Sequence, residues 1–340
     1  MEGGRLFELR RRTFDTPEFR GIEFIEVEAK TVINHVPGNM PFSWTINPYR
    51  GCSHACVACF ARPTHTYLDM NAGRDFESKI VVKVNAPDVL RRQLAARRWK
   101  GEHIALGTNT DPYQRAEGRY RLMPGIIRAM IEYRNPFSIL SRSPLILRDL
   151  DLLVEASKVT EVSTAFSIPT LDERAWRATE PGAPNPRARM DAVAALNEAG
   201  VPCGVMVAPL IPGLTDDPEG IRTVVEAAVA AGATHVSPIL LHLKPGVREE
   251  FMGWLTAEHP DLVTRYEELY RTSAYGTPAD RREAARKVSL AVRRAGGLKP
   301  RPNIAARFRR DSDRRARHPA GSKRPPQTRQ LSLLTGPKRA

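Results

Sequence analysis

Several things are scarce in this chain, and each scarcity closes off a class of protein. Four cysteines in 340 residues are too few for the disulfide framework of a secreted domain, and three of them crowd into eight positions, which points to metal or redox chemistry in a reducing compartment. No apolar run approaches the ~20 residues of a membrane span; the longest, such as residues 201–211, are short and broken by proline and glycine. The first twelve residues mix glutamate with arginine and lack the apolar core of a secretory signal. The expected location is therefore cytoplasmic, with no membrane partner. A GxGxxG turn after a first strand is also missing, which removes the main signature of a dinucleotide-binding Rossmann domain.

What is present is ordinary for a globular protein, at 41% hydrophobic and 26% charged residues. The formal charge of +14 is unevenly spread. Residues 299–340 hold thirteen Lys or Arg against Asp311 and Asp313, a net of +11, and leave about +3 for the preceding 298. The basicity belongs to the C-terminal tail and not to the body.

From residue 43 onward, β-rich runs alternate with amphipathic helical patterns. Strands are expected at residues 43–48, 80–84, 103–107, 137–141, 162–168, 203–208 and 235–241, with a further one at 22–27. Helices are expected at 87–98, 124–134, 145–157, 186–199 and 218–231, where prolines open the patterns and Gly200 and Gly232 close two of them. Three more follow at 248–254, 262–272 and 279–295. The alternation reads as repeated βαβ units, an α/β fold forming a partial (β/α)6 to full β/α barrel. The implied divisions are an N-terminal extension (1–42), a barrel core (43–245), a helical region (246–296) and a basic tail (297–340) that is expected to lack fixed structure. In such barrels the chemistry sits on loops after the C-terminal ends of strands.

The segment Asn47-Pro-Tyr-Arg-Gly-Cys-Ser-His-Ala-Cys-Val-Ala-Cys59 places Cys52, Cys56 and Cys59 at C-x3-C-x2-C spacing after the first barrel strand. Three thiolates on one short loop can hold three corners of a cubane iron–sulfur cluster. The fourth iron is then left to Cys203, another residue or an external ligand. A zinc site built from the three cysteines and His54 competes, but zinc favours separated C-x2-C pairs and no second pair exists. Cys203, in an apolar strand, reads as a small buried hydrophobe.

This cysteine motif resembles that of the radical S-adenosylmethionine (SAM) superfamily. Gly51-Cys52-Ser-His54-Ala-Cys56 and the later Thr110-Asp111 are similar to its branch containing spore photoproduct lyase, over roughly residues 43–245. The resemblance implies a [4Fe–4S] cluster on Cys52, Cys56 and Cys59, and S-adenosylmethionine chelated to the open iron. It further implies reductive cleavage to a 5′-deoxyadenosyl radical that abstracts hydrogen, and a one-electron donor such as flavodoxin or ferredoxin. Asn109, Thr110 and Asp111 are candidates for the cofactor's ribose or amino-acid headgroup, against the alternative of an Asx-type turn before Pro112. Arg142, at the end of the 137–141 strand, is a candidate clamp for the methionine carboxylate. Ser167 could bind the same headgroup, and Glu180 and Arg189 lie in a stretch that recurs in the branch. Pro209, in Ala208-Pro-Leu-Ile-Pro-Gly213, matches an apolar edge against the adenine.

Two departures limit the analogy. Ala58 stands where the superfamily commonly has an aromatic residue, which passes adenine packing to Phe60. Residues 106–109 contain no hydrogen-donating cysteine, and Phe60 lacks a tyrosine hydroxyl, so repair of the spore photoproduct by that donor does not carry over. The expected activity is radical chemistry on an unassigned, DNA-linked substrate; the rival is a cluster- or zinc-containing nucleic-acid-binding protein without radical turnover. The tail can contact nucleic acid through its charge. Gln330-Leu-Ser-Leu-Leu334 resembles the short peptide by which bacterial repair proteins dock on the sliding clamp.

Overall fold

A computed structural model describes residues 10–38 and 40–298; the expectations for the tail, including nucleic-acid contact through 299–340 and the Gln330–Leu334 motif, lie outside the described residues. Eleven strands follow in chain order: β1 Arg10–Arg12, β2 Glu23–Val27, β3 Ile33–His35, β4 Trp44–Ile46, β5 Tyr49–Arg50, β6 Lys79–Lys83, β7 Ile104–Leu106, β8 Phe137–Ser141, β9 Val162–Ser167, β10 Cys203–Leu210 and β11 Val236–Leu240. They form two sheets. The larger has the order β11-β10-β9-β8-β7-β4-β3, and the smaller β1-β2-β6-β5.

In the large sheet β4, β7, β8, β9, β10 and β11 are mutually parallel, and β3 adds antiparallel to β4 at one edge. Six parallel strands in an open order are the (β/α)6 form of the expected fold, not the closed full barrel. Helices supply the crossovers. Pro186–Glu198 and Pro218–Ala230 start on Asn185 and Asp217, whose side chains accept from Arg187 N and Gly220 N, and each has proline in the first turn, where no backbone donor is lost. After the last strand, Pro278–Arg294 opens on a capping box between Thr277 and Asp280 and packs against Pro218–Ala230 and β11.

The run expected at 80–84 is a strand, but not one of the barrel. It is β6, which pairs parallel with β2 and antiparallel with β5 in the small sheet. An apolar run records that a strand is buried on both faces, and Ile80 and Val82 on one face and Val81 on the other are indeed buried, but it does not name the neighbour. The first crossover, from β4 to β7, is thereby enlarged: it holds β5, the cysteine segment, β6 and the helix Ala86–Leu94. Residues 23–35 contribute β2 to the small sheet and β3 to the large one, so the stretch before residue 43 is woven into both. One apolar core runs through the strands and their covering helices. A second, including Leu241, Leu243, Phe251 and Tyr266, lies beneath Val57 and Ala58 of the cysteine segment.

Candidate cluster and cofactor site

The three cysteines leave β5 on a loop whose backbone is held from several sides. Gly51 begins it at φ +80°, and a Cβ there would stand 2.9 Å from both Lys79 O and Phe76 O, so glycine is required by conformation and by space. Cys52 N donates to Phe76 O at 2.9 Å. The Gln114 side chain bridges the turn: its Nε2 donates to Gly51 O at 2.8 Å, and its Oε1 accepts from Ser53 N at 3.0 Å. The buried Arg62 grips Cys56 O through Nε (3.1 Å) and Nη2 (3.0 Å), while Nη1 reaches Ala72 O at 3.0 Å and Nη2 also meets Glu77. On the far side Val57 N donates to Thr179 O and Gly182 N to His54 O, both at 3.0 Å. A side chain at Gly182 would strike Ser53 O at 2.2 Å.

From this loop a line of polar contacts crosses the C-terminal ends of four parallel strands. Thr110, past the end of β7, donates from Oγ1 to Gly51 O at 2.7 Å. Asp111 beside it accepts from Tyr113 N (2.9 Å), Ser141 Oγ (2.8 Å) and Arg142 N (2.6 Å), which ties β7 to the end of β8. Arg142 Nε donates to Glu180 Oε1 at 2.8 Å, and Arg189 Nη1 donates to Glu180 Oε2 at 2.6 Å. Arg189 also reaches Ser167 O at 3.0 Å, and Ser167 Oγ donates to Ala208 O at 2.7 Å, joining the ends of β9 and β10.

Charges along this line are matched. Burial opposes ionisation of Glu180, but Arg189 and Arg142 outweigh it and hold its pKa below the ordinary value. Burial likewise works against the Arg142 cation, yet Cys56 and Glu180 more than compensate and raise its pKa. With only Nε engaged among the described residues and the side chain 24% exposed, Arg142 keeps its two Nη groups for a further anion.

Cys52, Cys56, Cys59, Thr110, Asp111, Arg142, Ser167, Glu180 and Arg189 are thus brought together. Thr110 and Asp111 serve as braces within the protein, their side-chain oxygens all engaged by protein groups. Asn109 is exposed, held through its backbone N by Asn47 Oδ1 at 3.1 Å. Phe60 stands 54% exposed just past Cys59. Pro209 follows a cis peptide bond near the end of β10, with its carbonyl accepting from Thr215 Oγ1 at 3.3 Å. Cys203 starts β10, roughly 23 Å of strand away from Leu210 at the site end, and is wholly buried in the main core. It stands at the wrong end of the sheet to ligate a group on the cysteine loop. Gln114, Arg62 and Gly182 were not singled out from sequence. Each lies within three residues of a candidate, Gln114 past Asp111, Arg62 past Phe60 and Gly182 past Glu180.

Do these residues suit an iron–sulfur cluster? Burial pushes the Cys52 thiol up to about 12, and pushes Cys56 well above its ordinary value even with the Arg142 cation beside it, so both thiolates call for a coordinating cation. A coordinating metal supplies that cation. Five buried side-chain polar atoms among the described residues lack a hydrogen-bond partner: Ser53 Oγ, His54 Nδ1, His65 Nδ1, Trp176 Nε1 and Arg189 Nη2. All five belong to the cysteine loop and its extension or to the stretch 176–189 that packs on it, where polar contacts to a bound group would satisfy them. No three His, Cys, Asp or Glu side chains among the described residues converge as ligands of one ion. A cubane asks for a different arrangement, because each thiolate ends on a different iron. His54, which a zinc site would recruit, is buried with Nδ1 3.4 Å from Asp111 Oδ2, and burial lowers its pKa to about 4. The donor set fits a cubane.

An open parallel β/α sheet with a three-cysteine loop at the C-terminal ends of its strands defines a class of cofactor-dependent α/β protein. Residues 46–224 match the family model of the radical SAM superfamily, and the chain belongs to that family. An uncharacterised protein of Mycobacterium tuberculosis is 48% identical over 311 residues, covering 89% of this chain and 92% of that one. A radical SAM Nalpha-GlyT isomerase of Pseudomonas phage M6 is 28% identical over 194 residues, 56% of this chain and 37% of that protein. Among solved structures, spore photoproduct lyase complexed with dinucleoside spore photoproduct superposes with a TM-score of 0.58 at 14% identity, covering 80% of this chain and 79% of the other. That likeness is one of fold.

Proposed function

We propose that the chain is a radical S-adenosylmethionine enzyme in which Cys52, Cys56 and Cys59 hold three corners of a [4Fe–4S] cluster. The observation that carries this is the bracing of the three-cysteine loop, by Gln114, Arg62 and Thr110, at the ends of the parallel strands. Held by the three cysteines and given one electron by a donor such as flavodoxin or ferredoxin, cluster and cofactor would supply reductive cleavage of the sulfonium bond, releasing methionine and a 5′-deoxyadenosyl radical able to remove a substrate hydrogen. The protein's own work is placement. Arg142, fixed through Nε by Glu180, presents a cation for the methionine carboxylate, and Glu180 is itself held by Arg189. Asp111 keeps the Arg142 backbone in register with the cysteine loop. Phe60 and Pro209 offer apolar surface for the adenine, and Asn109 and Ser167 polar groups for the ribose and headgroup.

The substrate in this reading is DNA-linked, with residues 299–340 as a nucleic-acid contact and Gln330–Leu334 as a sliding-clamp peptide; net charge and motif support these roles. Replacing Leu333 and Leu334 by alanine should abolish co-elution with the clamp, and unchanged co-elution removes that role. The enzyme reading is tested by anaerobic reconstitution, reduction and addition of S-adenosylmethionine, with 5′-deoxyadenosine measured by mass spectrometry. Wild type should form it, and Cys56→Ala should not. A loaded cluster that yields none would favour a binding protein without turnover.

A further inference from the structure

Beside the cysteine loop the small sheet carries two cations that no acid among the described residues answers. In the antiparallel pair of β5 and β6, Arg50 lies opposite Val81 and Tyr49 opposite Val82. Lys83 N donates to Pro48 O at 3.0 Å, which continues the register. Residues two apart on a strand share a face, so Arg50 and Lys83 are diagonal neighbours on one side of the sheet. Both are half-buried. Arg50 makes no side-chain hydrogen bond or ion pair among the described residues, and Lys83 Nζ has only Asn47 O, at 2.8 Å. The other arginines around the site behave differently: Arg62, Arg142, Arg148 and Arg189 each meet a carboxylate. Two neighbouring cations withdrawn from water without a counter-charge are a cost that a bound anion offsets. Lys83 registers that cost, since burial and then the Arg50 charge lower its pKa to about 8.

Aromatic surface adjoins them. Of the five large apolar side chains exposed among the described residues, Tyr67 is the most exposed, at 74%. Tyr67 lies within electrostatic reach of Arg50. It stands in the 3₁₀ segment Arg62–Leu68 that extends the cysteine loop and is anchored by His65 Nε2 against Lys79 O at 3.0 Å. Cations without acids beside exposed aromatic rings are the pairing used to hold single-stranded nucleic acid: phosphates meet the charge and unpaired bases stack on the rings. An acidic peptide would answer the cations and leave the ring exposed.

We infer that the substrate class of this site is a single-stranded nucleic acid, its phosphates held by Arg50 and Lys83 and an unpaired base stacked on Tyr67 at the rim of the cysteine loop. The word substrate rests on the enzyme reading above; the binding does not. The test uses the full chain and a short oligodeoxynucleotide carrying 5-iodouracil, irradiated and mapped by peptide mass spectrometry. An adduct on Tyr67 is expected, lost in Tyr67→Ala and kept in Tyr67→Trp. Fluorescence anisotropy across salt should show that Arg50→Gln with Lys83→Gln weakens binding about tenfold or more and makes the salt slope shallower by about 1 to 2, while Lys83→Arg alone keeps it. Adducts confined to residues 299–340, an unchanged slope, or equal displacement by polyglutamate would overturn the inference. Protein that forms 5′-deoxyadenosine yet gives no rim adduct would sink this inference alone and leave the enzyme reading standing.

Discussion

Asp111 shows how differently a polar residue can serve from what its sequence position advertises. Its two oxygens accept three donors from the protein, from Tyr113 N, Ser141 Oγ and Arg142 N. Removing that acceptor leaves buried donors unmet, at about 1–3 kcal/mol. Asp111→Ala should therefore lower thermal stability by several degrees and reduce cluster retention, both measurable on reconstituted protein. Cys203 makes the opposite case. Burial pushes its thiol up to about 12, and it sits in the main core away from the loop. Cys203→Ala should keep full iron and sulfide content at a cost of about 1–2 kcal/mol in denaturant unfolding, whereas alanine at Cys52, Cys56 or Cys59 should empty the site. Lys83 offers a pH test. Its pKa of about 8 in the folded chain lies below the ordinary 10.5, so its burial penalty is complete below pH 8 and is relieved as pH rises from about 8 to 10.5. Wild type should gain denaturant resistance over that window, and Lys83→Met should lack this increment. The cysteines were legible in sequence because their spacing is itself the signal. Gln114 and Arg62 were not, because both grip backbone carbonyls, Gln114 that of distant Gly51 and Arg62 those of Cys56 and Ala72, and a carbonyl leaves no mark in a sequence.

At the scale of elements, the barrel strands were read with little error, since alternating apolar runs and proline-started helices are local features. Partner choice is not local, and β6 was accordingly assigned to the wrong sheet. β1, β3 and β5, reading Arg-Arg-Arg, Ile-Asn-His and Tyr-Arg, carry no apolar run to mark them. The cysteine loop depends on this hidden sheet, because Gly51 turns against the carbonyls of Phe76 and Lys79. Gly51→Ala should cost roughly 1–3 kcal/mol in backbone strain alone. It should also reduce cluster loading more than an alanine at Gly200, whose added Cβ meets nothing within 4 Å. Iron-to-protein ratios after identical reconstitution check this. Gly200 also has positive φ, at +81°, so the comparison isolates the effect of the crowded carbonyls.

Across the whole molecule, the long first crossover sets the cysteine loop against both the strand ends and the second core, so that the loop, Arg142 and Glu180 share one frame. On the proposed reading, a frame of this kind has one chemical consequence above the rest: three protein sulfurs for four irons. Mössbauer spectroscopy of anaerobically reconstituted, iron-57-enriched protein measures this most directly, with spectra taken before and after S-adenosylmethionine is added. One iron site of a [4Fe–4S] cluster should change on addition while the others hold. A cluster whose irons all remain sulfur-ligated and unaltered by the cofactor, or a protein that assembles no cubane, would contradict it.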